Sequence, residues 1–436
     1  MKTHYLLHLN LVLLLTVPPA ASAGDDQVQR TALSLDAATN AVLAANPALK
    51  AAEKKWLAMK ARVPQAAAWE DLRAQGMSRV ERYVSIPANA FMDQTFSLQQ
   101  EVPLTGKNLS RARAATAEAG GAFEDFRRTK LDVVSRARIA FYRLSNEYGQ
   151  LELNRRNVEL LNQFAKISRD RYEVGNAAQA DVLTAETDAA KLVEIEADIR
   201  RRISDAQTEL NVLMNRPPQT PLGEPGTVSF EPIRFSLPQV QAMALAARPE
   251  VQRAQSRVEA EKFRVQLANR QWVPDPTVTV QTQRYNDANQ AVSELDVGVS
   301  VPLPFFNPRK YGAAVIEAQR NFESAQHEFE STRTETLGLV RNQLTKIQTA
   351  AHHYELYRDK IVPLARQTVQ SNRAAYETSS ANFLALITSQ RVLQDAESTA
   401  LNHLADYQIG VAELDAVLGI EQPLPQQRVE RRSQGK

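Results

Sequence analysis

A chain of 436 residues is long enough for two or three globular domains, and its 52 basic and 50 acidic residues nearly cancel. The formal charge of +2 gives no reason to expect the basic surface that a nucleic-acid partner requires. The chain has no cysteine, which excludes disulfides and thiolate metal sites.

The first residues are typical of a secretory signal peptide. Lys2 supplies a positive charge, Leu6 to Val17 form a short apolar stretch, and Ala21 to Ala23 provide a small-x-small cleavage site. The alternative is the apolar first helix of a cytoplasmic protein, but the polar residues Gly24 to Asp26 that follow favour cleavage. We therefore predict a signal peptide over residues 1–23 and a mature protein that acts outside the cytoplasm.

The second half of the chain repeats features of the first half. Three segments recur in the same order about 200 residues further along, which indicates an internal duplication. They are Leu35 to Pro47 with Leu237 to Pro249, Val102 to Leu104 with Val301 to Leu303, and Tyr172 to Thr184 with Tyr376 to Thr388. We predict a first structural repeat over 24–230, a second over 231–422 and a disordered tail over 423–436.

Each repeat predicts a helix, a β-hairpin, a very long helix, a turn and another long helix. Residues 108–172 contain no proline, and their apolar residues recur at helical spacing along one stripe. A second helical run covers 178–214 after a break at Gly175, and the second repeat predicts equivalent runs over 310–376 and 382–418. A helix of this length is on the order of 100 Å long, so we expect an elongated molecule.

Short segments between the helices alternate apolar and polar residues, as strands with two different faces do. They cover 93–102, 277–282 and 294–301, and the partner of the first is predicted within 77–86. Such a strand fits either a membrane barrel or a half-buried sheet edge, and the export signal favours the barrel. No later segment is apolar enough for a membrane helix. Four strands cannot close a barrel, so a membrane location would require several chains to share one.

Several motifs resemble those of the TolC-like outer-membrane efflux proteins. The segment Val174 to Ala185 is similar to the family's V-G-x(5)-D-V-L-x-A pattern at the turn between the long helices. The repeated Val-Pro-Leu that closes each hairpin and the turn Leu104 to Lys107 also resemble family features. This likeness covers nearly the whole mature chain.

The resemblance implies a mainly α fold with a β-barrel part, assembled as a homotrimer. Each chain would give four transmembrane strands to a shared 12-stranded barrel in the outer membrane, continued by a long α-helical barrel in the periplasm. The family forms the passive exit duct of tripartite pumps. The implied partners are outer-membrane lipid, a periplasmic adaptor and an inner-membrane transporter of the resistance-nodulation-division (RND) class.

The resemblance also implies that the helical tips carry the gate. Asp181 matches the family's aspartate position, and Thr184 lies one helical turn further on the same side. The second repeat has Ser379 and Ala385 at the glycine and aspartate positions, so the gate is expected to contain one ring of three Asp181 side chains. The alternative is that Asp181 only caps or solvates a helix end.

Two further sets of tip residues follow from the same resemblance. Tyr172 and Tyr376 lie at equivalent positions and would pack at the constriction, or else form aromatic core between the helices. Val174, Gly175, Ser379 and Ser380 are expected to contact the adaptor.

No catalytic motif is present, so neither enzymatic activity nor a cofactor is expected. Only His327, His352, His353 and His403 lie beyond the signal peptide, and adjacent His352 and His353 point to different helix faces. No metal site is therefore predicted, although a threefold axis could bring three copies of one histidine together.

The exported substrate is not apparent in any site. Residues 99–107 and 299–306 resemble most the heavy-metal cation branch of the family, which serves RND pumps for cobalt, zinc, cadmium or copper. One alternative is the same conduit exporting drugs or other small molecules. Another is a soluble periplasmic coiled-coil scaffold, which would not explain hairpins at matched positions in both repeats.

Overall fold

The structure is a computed structural model of the chain. It describes residues 32–78, 93–226, 228–287, 290–378 and 380–421. The predicted signal peptide, the predicted tail over 423–436 and most of the predicted strand region 77–86 lie outside these residues.

The described part is mainly helical, with one small antiparallel sheet. Its elements follow in the order α1 (Leu35–Ala45), α2 (Pro47–Ala67), β1 (Arg73–Ser78), β2 (Gln94–Glu101), α3 (Lys107–Glu173), α4 (Gln179–Leu213), α5 (Leu237–Ala247), α6 (Pro249–Arg270), β3 (Thr277–Asp287), β4 (Gln290–Ser300), α7 (Pro308–Leu356), α8 (Val362–Glu377) and α9 (Phe383–Leu418). The order helix, helix, strand, strand, long helix, long helix thus occurs in both halves.

The long rods differ between the two halves. Helix α3 is a single α-helix of 67 residues. Its counterpart consists of α7, a five-residue π-helical turn over Tyr357–Ile361, and α8. Pro363 follows that turn, and a proline cannot donate the backbone hydrogen bond of a regular helix. The predicted second rod is therefore a helix with a π turn, because the local widening accommodates the missing donor.

The sheet has the strand order β1-β2-β3-β4, with every neighbouring pair antiparallel. Its register places Leu98 opposite Val280, and Val280 opposite Val297, on one apolar face. That face is exposed, with Val297 69 % accessible. Residues of the opposite face are mostly polar, as the alternation predicts.

Strand β1 begins earlier than the sequence predicts. Its described part covers Arg73–Ser78, so it overlaps the predicted region 77–86 but starts before it, and it pairs Ala74 with Leu98 and Gly76 with Phe96. The residues that β1 gives to the apolar face are thus small. An alternation of small and polar residues is a weak signal, which explains why the prediction placed the start of this strand too late.

The start of α3 is hydrogen-bonded to the end of α6, the helix that precedes the second β-hairpin. Gly106 has a φ of 66°, and its carbonyl accepts a hydrogen bond of 2.7 Å from Arg270 at the end of α6. The buried Asp275 carboxylate accepts hydrogen bonds from the backbone and hydroxyl of Thr105 and pairs with Lys107 at 2.9 Å. Burial acts to raise the pKa of Asp275, but the hydrogen bonds from Lys107 and Thr105 outweigh it and hold the pKa below its usual value. The sheet and the rods are therefore fixed to each other at this junction.

Within the described residues, three clusters of buried apolar residues join the helices. One joins α1, α3 and α4, and another joins α5, α7 and α9. The remaining cluster joins α3, α4, α8 and α9 near the turns between α3 and α4 and between α8 and α9. Other apolar side chains on the rods, including Val193, Leu364 and Val392, are exposed in the single chain. Within the described residues, no helix combines the length and the apolar character needed to cross a membrane.

Candidate functional site at the paired helical tips

The first tip is the reversal between α3 and α4. The backbone N–H of Asn176 donates to the Arg171 carbonyl at 2.8 Å, and that of Gly175 donates to the Tyr172 carbonyl at 2.9 Å. This pair of bonds is a Schellman motif, which needs a left-handed residue at Gly175. Gly175 has a φ of 78°, a conformation that costs other residues free energy.

The second tip, between α8 and α9, closes in the same way with different side chains. The backbone N–H of Ser380 donates to the Ala375 carbonyl at 2.8 Å. Thr378 and Ser380 share a hydrogen bond between their hydroxyls at 3.1 Å. Asn382 then caps α9 by accepting a hydrogen bond from the Ala385 N–H at 2.9 Å. Ser379 lies outside the described residues.

Asp181 and Thr184 both lie in the first turns of α4 and are half-buried. The N-cap residue of α4 is Ala178, so Asp181 does not occupy the capping position itself. A carboxylate in the first turn is nevertheless stabilised by the helix dipole. The Thr184 hydroxyl donates to the Ala180 carbonyl at 2.7 Å, within its own helix.

The two equivalent tyrosines have different surroundings. Tyr376 is 3 % exposed and packs edge-on against Phe383, whereas Tyr172 is 46 % exposed. In the first tip, Gln179 stands at the position that corresponds to Phe383, so Tyr172 has no aromatic neighbour there. Within a single chain, the structure therefore places Tyr376 in the core and leaves Tyr172 on the surface.

Arg171 connects the two tips. Its guanidinium lies 4.7 Å from the centre of the Tyr376 ring and donates to the carbonyls of Tyr376 at 2.6 Å and Glu377 at 2.9 Å. These carbonyls end α8, where a positive charge is favourable. The Tyr376 hydroxyl also lies 3.1 Å from the hydroxyl of the buried Ser168 on α3. We call these contacts of Ser168 and Arg171 with the end of α8 the tip tie.

Sequence reasoning missed both α3 residues of the tip tie. The available signal was a lack of symmetry, because Ala375 and Asn372 stand at the corresponding positions of the second repeat. Residues that differ between otherwise matched tips are candidates for contacts between the tips.

A second polar layer lies further from the turns. Arg391 of α9 donates through two nitrogens to one oxygen of the buried Asp188 of α4, at 2.9 and 2.6 Å. Gln390 donates to the Asn157 side chain at 2.9 Å in the interior. Both contacts join α9 of the second half to helices of the first half, so this layer is a second connection between the two halves.

The outer surface of the tips is partly apolar. Val174 is 69 % exposed and Leu183 is also exposed, while Gly175 and Ser380 lie beside the turns on the surface. In the described part of the chain, no group of three or more His, Asp or Glu residues is arranged to hold a metal ion. The described residues of the tips thus form an exposed, partly apolar surface and a network of polar contacts between the helices.

Comparison with known proteins identifies the same architecture. The cobalt-zinc-cadmium resistance protein CzcC of Cupriavidus metallidurans is 23 % identical over 333 residues, which are 75 % of this chain and 77 % of that protein. The structure of CusC superposes with a TM-score of 0.75 at 15 % identity, covering 88 % of this chain and 92 % of that one. The structure of VceC from Vibrio cholerae superposes with a TM-score of 0.72 at 19 % identity, covering 88 % and 96 %.

The sequence model of the outer membrane efflux protein family matches the chain twice, over residues 38–216 and again over 240–420. These two matches cover most of the chain and contain both tips. The fold and the family are those of passive channel proteins of the outer membrane. The chain is therefore a member of the outer membrane efflux protein family.

Proposed function

We propose that three copies of this chain form the exit duct of a tripartite efflux system, which performs no chemistry of its own. The observation that carries the proposal is the four-stranded sheet. Among the described residues, its outer strands β1 and β4 each pair with one other strand, and one face of the sheet is apolar and exposed. Pairing of β4 with β1 of the next copy would satisfy these edges and produce a closed 12-stranded barrel.

The rods support the same assembly. Exposed apolar residues such as Val193, Leu364 and Val392 lie on helices that are otherwise polar at the surface. Packing against the rods of neighbouring copies would remove them from water, with a favourable free energy of roughly 25 cal/mol per Å². The helices would then form the periplasmic part of the duct.

Cross-linking tests the assembly directly, because the chain has no native cysteine. We expect a chain carrying both Gln75→Cys in β1 and Asp296→Cys in β4 to form dimers and trimers with a short bismaleimide in isolated membranes. Each single variant is the matched control and should remain largely monomeric on a denaturing gel. If the double variant also yields monomers only, adjacent copies do not meet at these strands.

We further propose that the tips form the gate and the docking site. In the closed state the tip tie holds the helix pair α8 and α9 against the helix pair α3 and α4. Three Asp181 side chains form a ring at the constriction. A periplasmic adaptor would contact the exposed residues Val174, Gly175 and Ser380, together with Ser379, which lies outside the described residues. An RND transporter in the inner membrane would supply the energy.

The proposed cargo is a divalent heavy-metal cation such as cobalt, zinc or cadmium. Support comes from relatives named for resistance to such metals, CzcC and the nickel-cobalt-cadmium resistance protein NccC of Alcaligenes xylosoxydans xylosoxydans. The last is 21 % identical over 65 % of this chain and 63 % of its own length. We expect deletion of the gene to sensitise cells to one or two of these metals and a plasmid copy to restore resistance.

The panel should include ethidium, novobiocin and bile salts beside the metals. A relative from Pseudomonas putida is named as a toluene efflux pump protein, so a conduit for organic compounds is the second candidate. Sensitivity to dyes and drugs with unchanged metal tolerance would refute the metal cargo and support that alternative.

A further inference from the structure

A pair of histidines lies between α7 and α9, away from the tips. The ring centres of His353 and His403 are 5.1 Å apart, with an angle of 54° between the planes. Two imidazoles that bind one tetrahedral ion through nitrogens at about 2.0–2.1 Å have ring centres roughly 5 Å apart. The separation of the rings therefore matches that of a two-histidine chelate.

Independent contacts fix the register that brings these rings together. In the same antiparallel helix pair, Gln343 donates to the Gly410 carbonyl at 2.8 Å, and Lys346 pairs with Glu413 at 2.7 Å. Because these contacts hold the two helices in place, the histidine ligands lose less conformational entropy when they bind a metal ion.

The residues beside the histidines are also held firmly. Tyr407 lies one turn from His403 and is fully buried. Its hydroxyl donates to the Glu231 carbonyl at 2.6 Å and accepts from the Ile233 N–H at 3.0 Å. The backbone that carries His403 is thus anchored by the segment before α5.

The pair is accessible to a hydrated ion. His353 is exposed and His403 is half-buried, with the Tyr357 ring 5.2 Å from the His403 ring. Burial and the neighbouring His353 lower the pKa of His403, while Asp406 acts against this shift. Tyr357 also begins the π turn, a feature that is frequent at functional sites.

We propose that His353 and His403 form a binding site for a late divalent transition-metal cation such as Zn²⁺, Co²⁺, Ni²⁺ or Cu²⁺. Imidazole is a preferred ligand for these ions, and water would complete the coordination. Two protein ligands give weaker binding than the four of a structural zinc site. The first repeat contains no histidine, so each chain contains one such site. This site does not depend on which cargo the duct carries.

Titration of the purified protein with Zn²⁺ tests the proposal. The mature chain is prepared in detergent with a tag that contains no histidine, and binding is measured by calorimetry. We expect one ion per chain, with affinity at least about tenfold weaker in His353→Ala and in His403→Ala, because each variant loses the chelate. His327→Ala on the exposed surface of α7 is the matched control and should bind as the wild type does.

A spectroscopic measurement reports the ligands themselves. Cu²⁺ bound to the wild type should show electron paramagnetic resonance splitting from two imidazole nitrogens, and each single variant should show one. His403→Asn, which keeps a planar polar side chain, should give the same result as His403→Ala, and circular dichroism checks that all variants are folded. Equal affinity and equal spectra in all folded proteins would overturn the site. Because this measurement uses no pump, its outcome is separate from that of the metal susceptibility panel.

Discussion

Arg171→Ala provides a direct test of the tip tie. The substitution removes two hydrogen bonds from a guanidinium to the terminal carbonyls of α8, and it also removes the contact with the Tyr376 ring. Buried charge-assisted hydrogen bonds are worth about 1.5–3 kcal/mol each, and an exposed cation–π contact about 0.5–1 kcal/mol. Because the contact with Glu377 is exposed, we take a total of about 2 kcal/mol per copy. That corresponds to a roughly 30-fold shift towards the opened tip.

The assay is entry of a large antibiotic through the duct. Cells that produce the Arg171→Ala protein at wild-type levels should become sensitive to vancomycin, and the purified channel should conduct more in a planar bilayer. Tyr376→Phe removes only the hydrogen bond to Ser168, so a smaller effect of about 1 kcal/mol, or roughly fivefold, is expected.

Arg169→Ala is the matched control. Arg169 lies on the same helix end and pairs with Glu186 of α4, so it connects residues within one hairpin rather than the two tips. It removes the same charge without touching α8. If vancomycin sensitivity and conductance were equal in the Arg171 and Arg169 variants, the tip tie would have no part in closing the duct.

Three further predictions concern the gate and the stability of the chain. Asp181→Ala should make cells more sensitive to vancomycin, and unchanged sensitivity would refute the proposed ring. Gly419→Ala should lower the thermal midpoint strongly, because Gly419 has a φ of 77° and a Cβ there would lie 2.5 Å from the Ala247 carbonyl oxygen. The cost is about 1–2 kcal/mol for the backbone and about 1–3 kcal/mol for the clash, so an unchanged midpoint would contradict this geometry. Lys107→Met should lower the midpoint at pH 7, since it removes a partner of Asp275. The folded pKa of Asp275 is lowered, so its stabilisation is present above the unfolded value near 3.8 and is lost as the pH falls through the folded pKa. The difference between variant and wild type should therefore shrink in melting curves recorded below pH 3.8.

The sequence predicted the elements whose pattern depends on local chemistry. The long rods follow from uninterrupted helical stripes, and the alternation around Phe96 and Leu98 marks a strand with two faces. Gly175 was predicted as the break between two helices, and its left-handed backbone explains why. Each of these signals lies within a short stretch of chain and needs no knowledge of distant contacts.

The features that were missed depend on residues far apart in the sequence. Tyr172 and Tyr376 are equivalent in sequence, yet only Tyr376 is buried, because Phe383 and Arg171 surround it. The pairing of His353 with His403 likewise depends on the register of two antiparallel helices. Neither arrangement can be read from a spacing along one helix.

The π turn at Tyr357–Ile361 has a consequence for how the chain tolerates changes in length. One residue corresponds to about 100° of rotation in an α-helix, so a one-residue insertion in a regular rod would turn every following side chain away from its partners. A π turn contains one residue more than the α-helical turn that it replaces, so the change in length is confined to that turn. The terminal carbonyls of α8 still reach Arg171. Removing a single residue from this turn should therefore disturb the tips less than removing one from the middle of α3. The second rod thus contains a segment where evolution or engineering can alter its length without losing the alignment of the two ends.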